Sequence, residues 1–163
     1  MRAAVIGIGN EFRRDDGVGP AVVRALRGRL AAEIPVCIPA DTVDLVTAWS
    51  GTDIAIVVDL LQCARPRPGR VRRVATDGFA GAGEVGGHRV DVAAALALSR
   101  VLGTAPRRLV TFTVEGTDVR SGVGLSTPVR RAVPRVAAAV AAELVSGSVP
   151  RPGPSRPTGR RVR

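Results

Sequence analysis

The sequence predicts an α/β fold in three layers, with a twisted, mostly parallel sheet of about five strands and helices on both faces. Three observations predict it. Short apolar runs alternate with segments of helical spacing in the order β-α-β-α-β-(β)-α-β-α. The run Asp53–Leu60 (DIAIVVDL) is apolar at every position between its two acids, the pattern of a strand covered on both faces. The chain has 163 residues, 45% of them apolar and 23% charged, an ordinary globular balance at a length that buries a core without staples.

The elements follow in order. Arg2–Ile8 reads as a buried strand entering a turn at Gly7-Ile8-Gly9-Asn10. From Asp16 onward Val18, Val22, Val23, Leu26 and Leu30 have helical spacing, with Pro20 in the first turn, where a missing N–H costs least. Pro35–Ile38 is a short strand. Asp41 or Thr42 then caps a helix carrying Val43, Leu45, Val46 and Trp49, ended by Gly51. After the strand at 53–60, Gln62–Arg73 is polar and rich in Arg and Pro, overlapped by a marginal strand around Gly69–Val74. Residues 77–87 (DGFAGAGEVGG) are Gly-rich loop, and His88 precedes a helix over Val90–Leu102. Leu109–Glu115 alternates as a strand. Thr127-Pro128 opens a long Ala/Val helix through Leu144, with a kink expected at Pro134. Residues 1–147 therefore read as a single α/β unit. Segment 148–163, with five Arg and no acid, reads as a disordered tail.

Composition excludes several chemistries. All 24 basic residues are Arg; without Lys there is no P-loop GK[ST], no Schiff-base lysine and no Ser–Lys dyad. Without Tyr there is no phenolic nucleophile, and the sole His88 excludes HExxH and His-rich metal cages. Cys37 and Cys63 are too few and too far apart for a zinc ribbon or a CxxC motif, and read as reduced thiols. The net charge of +10 invites a nucleic-acid reading, but Phe12, Trp49, Phe79 and Phe112 are not interleaved with the Arg runs as base stacking requires. The longest apolar runs, such as Ile54–Val58 and Val136–Ala142, fall far below the roughly 20 residues of a membrane span, so the cytoplasm is the expected location.

Ligands of open α/β sheets bind beyond the carboxyl ends of the strands. The first strand leads through Gly7-Ile8-Gly9-Asn10 to Asp15-Asp16-Gly17-Val18-Gly19, the third ends at Asp59, and the loop bearing His88 follows. A dinucleotide fingerprint fails here: Phe12 stands at its third glycine, and two acids would repel the pyrophosphate. Asp15 and Asp16 also suit a plain role at the positive end of a helix. A carboxylate following five apolar residues, as Asp59 does, is costly unless matched by Arg65 or Arg67, by hydrogen bonds, or by a metal. His88 has its own plain reading, a solvated loop histidine beside Asp91. Taken together, two carboxylates and one imidazole suit a divalent transition ion with open positions.

The pattern Gly7-x-Gly9-Asn10-x-x-x-x-Asp15-Asp16-Gly17-Val18-Gly19 resembles the N-terminal signature of the hydrogenase maturation endopeptidases. Gly122-Val123-Gly124-Leu125-Ser126-Thr127-Pro128-Val129 resembles that family's G-x-x-L-S-x-x-V segment, and the likeness spans residues 1 to about 145. Two departures stand out: Ala40-Asp41-Thr42 replaces a Gly-Gly-Thr-like segment, and Glu115-Gly116 stands where Pro is frequent. The resemblance implies an endopeptidase that removes the C-terminal extension of a nickel-loaded [NiFe] hydrogenase large-subunit precursor. It implies metal contacts from Asp16, Asp59 and His88, and catalytic roles for Asp16 and Asp59. The nickel would arrive with the precursor, and zinc or cadmium would substitute for it in the site. A non-catalytic metal-binding chaperone of the same subunit would use the same three residues. No membrane or specific nucleic-acid partner is expected, and the chain is expected to be a monomer or weak oligomer.

Overall fold

The computed structural model describes residues 1–77 and 90–147. Strand β1 is Ala3–Gly7, and a single 3-10 turn over Arg14–Gly17 runs directly into α1, Val18–Leu26. The two-residue β2, Val36–Cys37, is followed by α2, Thr42–Trp49, and by β3, Ile54–Leu61. Next come β4 (Val71–Asp77), α3 (Val92–Val101), β5 (Arg108–Glu115) and α4 (Thr127–Gly147). Asp41 caps α2 by accepting from Asp44 N, and Asp91 caps α3 by accepting from Ala93 N and Ala94 N. Pro134 lies inside α4, and the helical conformation continues on both sides of it.

The sheet order is β2-β1-β3-β5-β4. Three pairings are parallel, and β4 joins β5 antiparallel at the edge. The marginal strand expected around Gly69–Val74 is thus a full edge strand displaced toward the C-terminus. Its sequence VRRVATD carries little apolar signal because long-range pairing stabilises it. Arg72 reaches Glu115 on one face, while Arg73 forks onto Glu143 of α4 on the other.

Alternation along β1, β3 and β5 divides the core. Val5, Ile56, Val58, Val110 and Phe112 pack under α1 and α4. Ala4, Ile6, Ala55, Val57 and Leu109 pack under α2 and α3. On the second face the Trp49 indole N–H donates to Ser99 Oγ at 2.8 Å, so the polar atom of the largest buried side chain is satisfied.

One close approach fixes α1 against the sheet. Ile8 N donates to Val58 O at 2.8 Å, carrying the ladder one residue past β1. Gly19, in the first turn of α1, has no room for a side chain: a Cβ there would meet Ile8 N and Val58 O at 2.6 Å each. Because the obstructing atoms are backbone, Gly19→Ala is expected to lose at least about 2 kcal/mol of stability. Urea unfolding should show a lower midpoint at an unchanged slope.

Candidate active site

The strand order places a topological switch between β1 and β3. From β1 the chain crosses to β2 through α1 on one face, then returns through α2 on the other face to β3 on the far side of β1. The two connections leave in opposite directions, so a crevice opens beyond the carboxyl ends of β1 and β3. Asp16 and Asp59 flank it.

Asp59 lies within β3 rather than at its tip, paired with Thr113 of β5. β1 has already ended opposite Val58, so Asp59 is the first β3 residue beyond the β1 ladder. By alternation with Ala55 and Val57 it faces the α2/α3 side. It is 1% exposed, and its Oδ1 accepts from Leu60 N at 2.7 Å.

Asp16 is 2% exposed and sits in the 3-10 turn, its Oδ2 accepting from Asn10 N at 3.2 Å. Gly9, at φ 129°, presses on the Asp16 carbonyl, and any Cβ there would collide with it. A cavity of about 490 Å³ opens above, lined by Ile8, Asn10, Phe12, Asp16, Pro39 and Val90 among others. Ile8 and Val90 belong to the α2/α3 face, so this cavity lies on the side toward which Asp59 points. Phe12, 64% exposed, forms an apolar rim. Among the described residues no group of three or more His, Cys, Asp or Glu side chains is arranged to hold a metal ion. His88 lies outside the described residues, two positions before Val90.

The neighbouring acid has a different duty. Asp15 is fully buried, and its Oδ1 accepts from Ser126 N at 2.8 Å. Its Oδ2 accepts from Asp118 N at 3.2 Å and Thr117 N at 3.4 Å. Main-chain bonds reinforce the clamp: Asp15 N to Asp118 O at 2.8 Å, Arg14 N to Gly122 O at 2.9 Å, and Gly122 N to Phe12 O at 2.8 Å. Asp15 therefore ties the turn bearing Asp16 to the loop between β5 and α4. Arg14, at φ 49°, is the non-glycine residue held in the left-handed region by this docking.

Glu115, another fully buried acid at the carboxyl edge, escaped the sequence reading. The signal was present, since it follows an apolar strand just as Asp59 does. Its carboxylate accepts from Arg67 N and from Arg72 Nε, both at 2.7 Å. The Arg67 amide first, then the Arg72 guanidinium, hold its pKa below the ordinary glutamate range. On the loop beside Asp15, the Arg120 guanidinium holds Asp118 down to about 2.

The family model for hydrogenase maturation proteases matches residues 38–143. No curated protein matches the chain. Among solved structures, the hydrogenase maturating endopeptidase HybD from E. coli superposes with a TM-score of 0.80 at 21% identity, covering 91% of this chain and 94% of that one. A solution structure of an endopeptidase from Escherichia coli gives 0.76 at 21% identity over 91% and 95%. A [NiFe] hydrogenase maturation protease HycI from Thermococcus kodakarensis gives 0.62 at 18% identity over 88% and 92%. These likenesses establish the shared α/β fold.

Two outcomes follow from the buried acids. Asp15→Ala strands backbone N–H groups of Thr117, Asp118 and Ser126, and is expected to cost about 3 kcal/mol in urea unfolding. Glu115 has a lowered folded-state pKa, so its stabilisation is complete above the ordinary glutamate range and is lost as pH falls through the lowered value. The Tm difference between the wild type and Glu115→Gln should therefore be largest near neutral pH and shrink on acidification.

Proposed function

The chain belongs to the hydrogenase maturation protease family, and from that premise we propose that it removes the C-terminal extension of a nickel-loaded hydrogenase large-subunit precursor. As a member of that family it is a peptidase. The observation that carries the finer reading is the burial of two acids, Asp16 and Asp59, on either side of the crevice between β1 and β3. Ligands of open α/β sheets bind at this edge, and two carboxylates held there are the oxygen donors a divalent transition ion takes. Residues 1–147 form the peptidase unit in this reading. Among the described residues no helix is long and apolar enough to cross a membrane.

Asp16, Asp59 and His88 grip the precursor's nickel through its free positions. Two carboxylates and an imidazole suit such an ion, and Val90, two residues after His88 in sequence, lines the same cavity as Asp16. Nickel held there supplies Lewis acidity to the scissile carbonyl. In the alternative division of labour Asp16, at the cavity wall, leaves the ion to Asp59 and His88 and instead orients the attacking water and accepts its proton. Asp59, backed by β5 and facing the same side, fixes the geometry from the sheet. Gly9 and the Asp15 clamp keep the Asp16 turn in place, so neither acid has to be ordered when the precursor arrives.

The test is cleavage of nickel-loaded precursor followed by intact-mass spectrometry. The wild type should shorten the large subunit by a C-terminal peptide. Asp16→Asn and Asp59→Asn should each slow this by about 100-fold or more, and His88→Ala should do likewise. Full cleavage by all three variants overturns the assignment. Stable binding of the precursor by the wild type with no change of mass would identify a metal-binding chaperone instead.

A further inference from the structure

Beside the cleft the molecule presents a wall of arginines with a common origin. The connection from β3 to β4 and the start of β4 carry Arg65, Arg67, Arg70 and Arg72 and no acid. Buried Glu115 organises this stretch. Its carboxylate takes the Arg67 amide and the Arg72 guanidinium, with Arg70 Nε at 3.9 Å. Its backbone takes Gly69 N at 2.7 Å and gives its own N–H to Arg70 O at 2.9 Å. The connection is then backed onto α4: Gly69 lies against the Pro128 carbonyl, and Arg135 donates to Gly69 O at 2.9 Å. Pro128, Arg131 and Arg135 share one stripe of α4 at helical spacing, so Arg131 lies on the side of α4 that meets the connection at Gly69.

Two guanidinium groups, those of Arg72 and Arg70, thus share one carboxylate that is itself out of solvent, and four more arginines lie along the connection and the helix it touches. The side chains of Arg65, Arg67 and Arg131 have no carboxylate partner among the described residues. Holding like charges together on one face costs stability, and an opposing charge on a partner offsets it. The wall starts in the connection that leaves the end of β3, the strand that carries Asp59. No aromatic side chain interrupts it, so it lacks the stacking platform that nucleic acids use. Its forked donors match carboxylates.

We propose that this face, Arg65, Arg67, Arg70 and Arg72 with Arg131 and Arg135, is the docking surface for an acidic surface of the folded precursor protein, seating it over the Asp16–Asp59 cleft. The proposal rests on the proteolytic reading above, and its test separates the two. Binding of the full-length chain to nickel-loaded precursor is measured between about 0.05 M and 0.3 M salt, a range over which screening strengthens. The wild type should weaken steeply as salt rises.

The charge-reversed variant Arg65→Glu/Arg67→Glu/Arg131→Glu should bind about ten-fold or more weaker at low salt, with a flattened salt dependence. The neutral variant Arg65→Gln/Arg67→Gln should fall between. All of these side chains are exposed, and unchanged thermal unfolding confirms the fold. If the wild type binds in this salt-sensitive way without cleaving, the proteolytic reading fails and the docking face stands. If the reversed variant binds as the wild type does, or the wild type does not bind precursor at all, the docking face is overturned. It is overturned equally if a single-stranded DNA oligonucleotide displaces the precursor from the wild type and the reversed variant fails to bind that oligonucleotide.

Discussion

The approach of the first helix to the sheet is the constraint from which the rest follows. Backbone meets backbone where Gly19 passes Ile8 and Val58, with no side chain between them. That contact brings the turn over Arg14–Gly17 down onto the end of β1 instead of leaving it in solvent. Only then can an acid of the turn be buried beside an acid of β3. A looser packing, with ordinary side chains at the crossing, would lift Asp16 toward water and leave the β1–β3 crevice with a single buried carboxylate.

The molecule places its charge unevenly. Among the described residues Asp15, Asp16, Asp59, Glu115 and Glu143 are buried, while the arginines lie at or near the surface. All of them accept hydrogen bonds: Asp15 from backbone amides, Asp16 from Asn10 N, Asp59 from Leu60 N, Glu115 from an amide and a guanidinium, and Glu143 from Arg73, with Arg108 beside it. The exclusive use of arginine suits this arrangement. A planar fork can hold both oxygens of a half-buried carboxylate, as Arg73 does on Glu143 at 2.8 and 2.9 Å, which a lysine ammonium does with less directional fit.

Much of the architecture was legible because local chemistry and global packing agree. β3 announces itself by continuous apolar character and is displaced by one residue from its expected bounds. Of the two cap candidates, Asp41 and Thr42, it is Asp41 that caps α2, with Thr42 its first residue. The division of labour between Asp15 and Asp16 was not legible as a contrast, since both acids suit a helix start and only the distant loop over Thr117–Ser126 distinguishes them. The extent of β4 and the burial of Glu115 were hidden for a related reason: each depends on partners more than 30 residues away. Neither the Gly-rich segment with His88 nor the tail from 148 onward is among the described residues.

The turn between Gly9 and Asp16 has a consequence for how such chains can vary. Its shape is held by main-chain bonds: Arg13 N to Asn10 O, Asp16 N to Arg13 O, Gly122 N to Phe12 O and Arg14 N to Gly122 O. Side chains add to that frame at its margins, Glu11 pairing with Arg24 of α1 at 2.7 Å and Arg13 Nε donating to Val119 O at 3.3 Å, so substitutions there leave the main-chain bonds in place. Its length is constrained. Successive residues of a 3-10 turn point roughly 120° apart, so inserting or deleting one residue would rotate the anchor into the cleft and the cleft acid into the anchor's socket. Diversity among relatives at this corner should accumulate by substitution, against a fixed count of residues.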